Sequence, residues 1–346
     1  ERELGITNIV KLASNENPFG FPESAKKAIQ AQLDHLTRYP DANGFELKAA
    51  IAKKFGVQPN QITLGNGSND LLELFAHTFA GEHDEVIYSQ YAFIVYPLVT
   101  KAINAVAKEI PAKNWGHDLN GFLTALSDKT KLIFIANPNN PTGNFLTEAE
   151  LDAFLTKVPE NVIVVLDEAY TEFTHPSERV NSFALLDKYP NLMIVRGTSK
   201  FFACPGLRLG YGACSDKETL DYVNSHKDPW SVNVFAELAG KVMFVDKDFI
   251  ESTTDFISAE RTRIKEELSK WKNIKVYDTQ SNFFLVEILR DDVTSDEIFH
   301  NLIQKKLLIR DASNFPYLGS KFLRFCILNK EENNLLLSNL KKIIEK

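Results

Sequence analysis

The sequence predicts an α/β fold with a mostly parallel sheet in a large first domain, followed by a smaller α+β domain. Three observations carry this prediction. The segments "KLIFIA" and "NVIVVLDEA" are continuous apolar runs rather than alternating ones, the pattern of strands buried on both faces. Helix-like stretches separate these runs, and alternation of strand and helix argues for a doubly wound sheet. After about residue 232 the character changes to a long polar helical stretch and then paired strand-like runs.

In chain order, the proline-containing start "NENPFGFPESA" reads as an extended arm before a helix opening near Glu23. Strands are expected at 62–64, 85–89, 131–136, 162–166 and 192–195, each a short β-branched run. Helices are expected over 69–79 and 147–158. The second opens with Thr147 and carries Glu150 three residues on, a reciprocal capping pattern. Beyond 232, "DFIESTTDFISAERTRIKEELSKW" reads as one polar helix. Strands "IKVYDT" and "NFFLVEI", a helix near 295–306, strands "LLIRDAS" and "FLRFCI" and a closing helix follow.

Bulk properties narrow the function classes. The chain has 346 residues, 44% of them hydrophobic and 25% charged, enough for two domains with sizeable cores. A net charge of −7 argues against a nucleic-acid partner or an acidic-membrane surface, so any anionic ligand needs a local site. No apolar run reaches the length of a membrane span, and the opening residues show no leader pattern. The three scattered cysteines do not make a disulfide framework or a zinc site, which fits a reducing cytoplasm. Cys204 reads as a small core residue rather than a reactive thiol.

Ligands of open α/β sheets collect at the carboxyl ends of the strands, so the residues that follow each strand matter most. After 62–64 comes "GNGSND" and a helix: two glycines, then the free N–H groups of a helix start, a phosphate cradle. A plain glycine turn with an Asn/Asp cap is equally compatible, and the third glycine of a dinucleotide loop is replaced by Asp70. After 131–136 comes "NPNNPTG"; a surface turn of Asn and Pro is common, but so dense a string after a buried strand is far less so and points to function. After 162–166 come Asp167 and, three residues on, Tyr170; an acid at a buried strand end needs a positive partner, unless it merely caps a turn. After 192–195 come Ser199, Lys200 and then Arg208. Alone, Lys200 would read as a solvated loop lysine and Arg208 as half of a surface pair. Together the groups form one constellation. A lysine attacks carbonyls once its proton is loosened. A cofactor with an aldehyde, a basic ring nitrogen, a phenolic oxygen and a phosphate would use every one of these groups, and pyridoxal 5′-phosphate is that cofactor.

The motifs "NPNNPTG", "DEAY", "SK" and "LRLGY", in this order, resemble the fold-type I pyridoxal-phosphate enzymes of aminotransferase class I/II, and the resemblance covers nearly the whole chain. Residues 9–195, with "KLASNENPFG", "RYPD" and "GNGSND", are most similar to the histidinol-phosphate aminotransferase subgroup. In the second half, "KFFACPGLRLGY", "DPWSVN" and "LIRDASNFPYLGSKFLRFCI" look more like threonine-phosphate decarboxylase. The resemblance implies an arm over 1–25, a large cofactor-binding domain over 26–232 and a small C-terminal domain over 233–346. It implies that Lys200 forms the Schiff base, Asp167 faces the pyridinium nitrogen, and Tyr170 and Asn140 hold the phenolic oxygen. Ser68, Asn69, Ser199 and Arg208 would take the cofactor phosphate. Phe93 would stack on the ring, and Tyr39 would reach the phosphate across a homodimer interface. Arg324 and Arg310 would bind the anionic end of the substrate, with Asn282 nearby.

The activity implied is a two-stage transamination, with histidinol phosphate as amino donor and 2-oxoglutarate as acceptor. Lys200 would move the proton between the substrate and the cofactor. The nearest alternative keeps the site and breaks Cα–CO₂⁻, as a threonine-phosphate decarboxylase does. A nicotinamide-dependent oxidoreductase using "GNGSND" lacks the acid expected after a second strand. A non-catalytic regulator would leave Lys200 and Asp167 without a task. Arg324 stands near the start of an apolar strand, so it is expected to face an open site and wait for an anion; the plain alternative is an ion pair with a neighbouring acid.

Overall fold

The protein was analysed as a computed structural model that describes residues 5–346; residues 1–4 of the expected N-terminal arm lie outside the described residues. The strands are β1 (Val10–Lys11), β2 (Ile62–Gly65), β3 (Glu85–Ser89), β4 (Val106–Ile110), β5 (Thr130–Ala136), β6 (Ile163–Asp167), β7 (Leu192–Gly197), β8 (Gly210–Ala213), β9 (Ile274–Val276), β10 (Phe283–Ile288), β11 (Leu307–Leu308), β12 (Arg310–Asp311) and β13 (Phe322–Cys326).

Seven strands form the central sheet in the order β2-β8-β7-β6-β5-β3-β4. All neighbours from β7 to β4 are parallel, and β8 alone runs antiparallel to both β2 and β7. The continuous apolar runs are explained by burial on both faces. Ile133, Ile135, Val164 and Leu166 point into one core, and Leu132, Phe134, Ile163 and Val165 into the other. Two strands of this sheet escaped the sequence reading. β4, "VAKEI", is an exposed edge strand carrying charge, and β8, "GYGA", holds two glycines. The expected strand "LLIRDAS" is split: Leu307–Leu308 pairs with β1, and Arg310–Asp311 with β13.

The expected helix at 147–158 is Glu148–Leu155, opened by the anticipated capping exchange between Thr147 and Glu150. The polar helix spans Lys247–Leu268 and leads into an antiparallel sheet of order β12-β13-β10-β9. The segment after β1 is tied to that sheet, because the Cys326 amide donates to the Leu12 carbonyl at 2.9 Å. Residues 13–15 are thereby laid along the carboxyl ends of the central strands. Among the described residues, no helix is long and apolar enough to cross a membrane, and no cluster of His, Cys, Asp and Glu is arranged to hold a metal ion.

Candidate active site

β5, β6 and β7 end side by side, and the residues after them form the floor of a cleft of about 680 Å³. Strand alternation decides what each end presents. At the end of β6, Asp167 continues the face of Ile163 and Val165, while Glu168 continues the face of Val164 and Leu166. Only Asp167 of the two lines the cleft.

Asp167 is buried, and Tyr96 donates to its Oδ2 at 2.8 Å. The Ala169 amide donates to Oδ1 at 3.1 Å. Burial pushes the carboxyl up to about 6, against these two hydrogen bonds and assisted by the negative charge of Glu168. Tyr96 is a site residue that the sequence reading passed over. It lies three residues beyond Phe93, one helical turn on, which is the signal that would have found it. Phe93 lines the cleft and meets Tyr96 edge to face at 6.0 Å.

Lys200 enters the cleft from the turn after β7, and its Nζ donates to the Ser14 carbonyl at 2.6 Å. No carboxylate pairs with it among the described residues. Tyr170 lines the same cleft, and its hydroxyl accepts from Asn15 Nδ2 at 2.9 Å. Ala13, Ser14 and Asn15 are therefore part of the wall, although the sequence reading used "KLASNENPFG" only as a likeness. Cys204, close by in sequence, donates to the Thr198 carbonyl, and burial pushes its thiol up to about 11. It is a packed core residue.

The glycine-rich turn after β2 sits beside β8. Gly67 has φ +94°, and a Cβ there would lie 2.3 Å from Arg208 Nη2. The helix Ser68–Phe79 starts at this turn with its first amides unpaired within the helix. Ser68, Asn69, Ser199 and Arg208 all line this end of the cleft. The Arg208 guanidinium donates only to uncharged groups: the Pro205 and Asn66 carbonyls and the Ser199 hydroxyl.

At the other end, Arg324 donates to Asn140 Oδ1 at 2.5 Å and to the Ala13 carbonyl at 2.9 Å, with its Nε unpartnered. Phe283 and Phe315 flank the guanidinium at 5.2 and 5.7 Å. The alternative of an ion pair is not realised, because no described carboxylate lies within ion-pair distance of Arg324. Arg310, its register partner on β12, donates to Asn314 Oδ1 at 3.0 Å and lies over the Phe315 ring.

Two expected residues are not brought to the cleft. Asn282 is fully buried behind it and donates to the Asn15 carbonyl at 3.1 Å, so it supports the wall instead of facing a ligand. Tyr39 is 81% exposed and stacks on Trp230 at 4.9 Å, away from the cleft of its own chain.

Among the described residues, the cleft thus combines one buried acid, one lysine and three arginines that no carboxylate meets at ion-pair distance. The family model "Aminotransferase class I and II" matches residues 7–340. The chain is 59% identical over 345 residues to histidinol-phosphate aminotransferase 2 of Haemophilus influenzae (strain 86-028NP), covering 100% of this chain and 92% of the relative. The crystal structure of the histidinol-phosphate aminotransferase from Clostridium acetobutylicum superposes with a TM-score of 0.90 at 28% identity, covering 97% of this chain and 99% of that one. The Sinorhizobium meliloti histidinol-phosphate aminotransferase, solved in complex with pyridoxal-5′-phosphate, has the same fold, with a TM-score of 0.91 at 24% identity over 100% and 93% of the two chains. A match of this extent, on a cleft of this composition, means that the chain belongs to the aminotransferase class I and II family.

Proposed function

We propose that this protein is a pyridoxal-phosphate-dependent aminotransferase that takes the amino group from histidinol phosphate and passes it to 2-oxoglutarate. The observation that carries the reading is the separation of charge in the cleft. A buried carboxylate without a cationic partner stands on the floor, and unpaired arginines stand at both ends.

The residues present fit the cofactor. Asp167, held near 6 by burial, lacks the cation that a protonated ring nitrogen would supply, and such a cation would return the carboxyl to its charged form. Arg208 and the free amides at Ser68 and Asn69 form an anion cradle of the size a phosphate needs. Pyridoxal phosphate, when bound, supplies an aldehyde carbon and an electron-withdrawing ring. In this reading Lys200 would hold the bound cofactor through that aldehyde carbon, and would be the base that takes the substrate Cα proton and delivers it to the cofactor carbon. Tyr170 and Asn140 would hold the phenolic oxygen, and Phe93 would cover the ring. Arg324 and Arg310 hold the substrate phosphate, and hold a carboxylate of 2-oxoglutarate in the second half-reaction.

The exposure of Leu33, Leu36, Tyr39, Phe45 and Trp230 supports a homodimer in which Tyr39 completes the site of the other copy. Sedimentation at assay concentration that found a fully active monomer would rule this out. A cytoplasmic location agrees with three free, buried cysteines. The function itself is tested by two product assays. Histidinol phosphate with 2-oxoglutarate should yield glutamate. Threonine phosphate alone should release no CO₂, and its release would favour the decarboxylase alternative.

A further inference from the structure

Opposite the cleft, on the other face of the same strand ends, lies a buried ion pair that the reaction does not use. The ladder between β6 and β7 ends at the register pair Asp167–Val195. The next two side chains are Glu168 and Arg196. Arg196 Nε and Nη2 both reach Glu168 Oε2 at 2.8 Å, and the Ser182 hydroxyl donates to the same oxygen at 2.7 Å. Glu168 is 0% exposed and Arg196 3%.

We propose that Glu168 and Arg196 are positioning residues, a side-chain rung that fixes the spacing between Asp167 and Lys200. The inference rests on the reading of those two residues as the anchor points of the cofactor. Glu168 directly follows Asp167, and Arg196 precedes Lys200 by four residues in the turn that delivers it. The backbone contributes one further tie here, from the Glu168 amide to the Val195 carbonyl at 2.8 Å. The guanidinium is confined on one side by Phe55 and Phe183, which stack on each other at 4.2 Å and whose ring centroids lie 4.9 and 5.0 Å from it. One geometry is therefore imposed on both strand ends.

Stability does not account for the pair. Removing two charges from water is costly, and an apolar pair of similar volume serves a core as well or better. The network is also incompletely satisfied: Glu168 Oε1, Glu172 Oε2 and the Tyr211 hydroxyl have no partner, a condition less favourable than an apolar core. Glu172, Tyr211, Arg179 and Lys54 complete the charged and titratable groups around it. What the rung supplies, and a leucine–methionine contact does not, is a directional, doubly hydrogen-bonded link between the two strands that carry the site.

The test is the paired substitution Glu168→Leu/Arg196→Met in the holoenzyme. It removes one charge of each sign; losing Glu168's negative charge eases ionisation of Asp167 and by itself would favour a cationic ring, so weakened cofactor binding reports geometry. Expected is a pyridoxal-phosphate dissociation constant raised at least about tenfold; the melting temperature should also fall, because Arg196 pairs with the buried Glu172 at 3.4 Å and its loss strands that carboxylate. A kcat reduced by roughly tenfold to a hundredfold at saturating substrate and cofactor is also expected. The pH midpoint of the visible cofactor band should move, since Asp167 held at another distance acts differently on positive charge at the ring. A lowered melting temperature with unchanged cofactor affinity, band midpoint and kcat would overturn the proposal. If the paired variant does not fold, Ser182→Ala removes one hydrogen bond of the rung and no charge. It should move the same readouts in the same direction by about twofold to threefold, and no movement would be equally decisive. Cofactor affinity and band midpoint need no substrate. A shift in both without glutamate formation would therefore leave the rung standing and reject only the substrate assignment.

Discussion

The phenol of Tyr96 reaches up from the helix Val95–Ala102 and donates to Asp167 Oδ2 at 2.8 Å, on the side of the carboxylate turned away from solvent. A hydrogen bond to a charged acceptor favours the charged form, so Tyr96 opposes the burial that would neutralise Asp167. Tyr96→Phe should lower kcat by roughly tenfold to a hundredfold, the loss of about 1.5–3 kcal/mol carried by a hydrogen bond to an ionised group. Asp167→Ala removes the charge itself and should cost at least about a hundredfold. Tyr170→Phe, which loses a hydroxyl accepting from Asn15, should fall well short of Asp167→Ala. The measurement is kcat at saturating cofactor, and equal losses in Asp167→Ala and Tyr170→Phe would contradict the assignment of Asp167.

Asp167 also makes the cofactor-free protein pH-sensitive. Its pKa rises from 3.8 to about 6 on folding, so the folded state holds the proton more tightly than the unfolded chain. Stability of the cofactor-free protein is therefore full below about pH 4 and declines as pH rises toward 6, by about 3 kcal/mol for this group alone. Asp167→Asn lacks this penalty. Its cofactor-free form should melt above the wild type at pH 7.5, and the two should converge near pH 4. The order should reverse when pyridoxal phosphate is bound, because wild-type Asp167 then has its cation. Thermal melts at the two pH values, with and without cofactor, check the sign.

Lys200 is the predicted attachment point. The purified holoenzyme should be yellow, and borohydride should fix the cofactor irreversibly to Lys200. Peptide mapping decides the matter, and an adduct on any other lysine would remove the central assumption about the site.

Much of this site was legible because its residues follow strands whose apolar runs are unmistakable. Asp167 and Lys200 could be placed from "NVIVVLDEA" and "IVRGTSK" since a buried parallel strand has a defined carboxyl end. What stayed hidden depends on long-range packing. Ser14 and Asn15 reach the cleft only because β1 pairs with β11, about 300 residues away in sequence, and a two-residue strand leaves no periodicity to read. β8 was missed because "GYGA" has low strand propensity; its glycines are required by close approach, a Cβ on Gly210 lying 2.4 Å from the Gly67 carbonyl carbon. Asn282, expected near the substrate, directly precedes β10 and lies one layer behind the cleft wall. The structure turns it inward, where its amide satisfies the Asn15 carbonyl.

Arg324 should set the preference for phosphorylated substrates. Its guanidinium is 6% exposed, and burial lowers its affinity for the proton. It is held by two neutral oxygens, on Asn140 and Ala13, with the Nε hydrogen unused. A buried cation in this state gains most from an anion that accepts two parallel hydrogen bonds, which a phosphate does and which a lysine ammonium cannot reproduce. Arg324→Lys should therefore raise the KM for histidinol phosphate by about tenfold to a hundredfold, the worth of one or two charge-assisted hydrogen bonds. The visible band of the resting enzyme should change little, because lysine keeps a positive charge beside Asn140 and neither Arg324 nor Asn140 touches Lys200 or Asp167. Melting temperature separates this role from a structural one. A structural guanidinium bridging Asn140 and Ala13 predicts a lower melting temperature and an unchanged KM. An anion anchor predicts a nearly constant melting temperature and a raised KM, and an unchanged KM for histidinol phosphate would end the assignment.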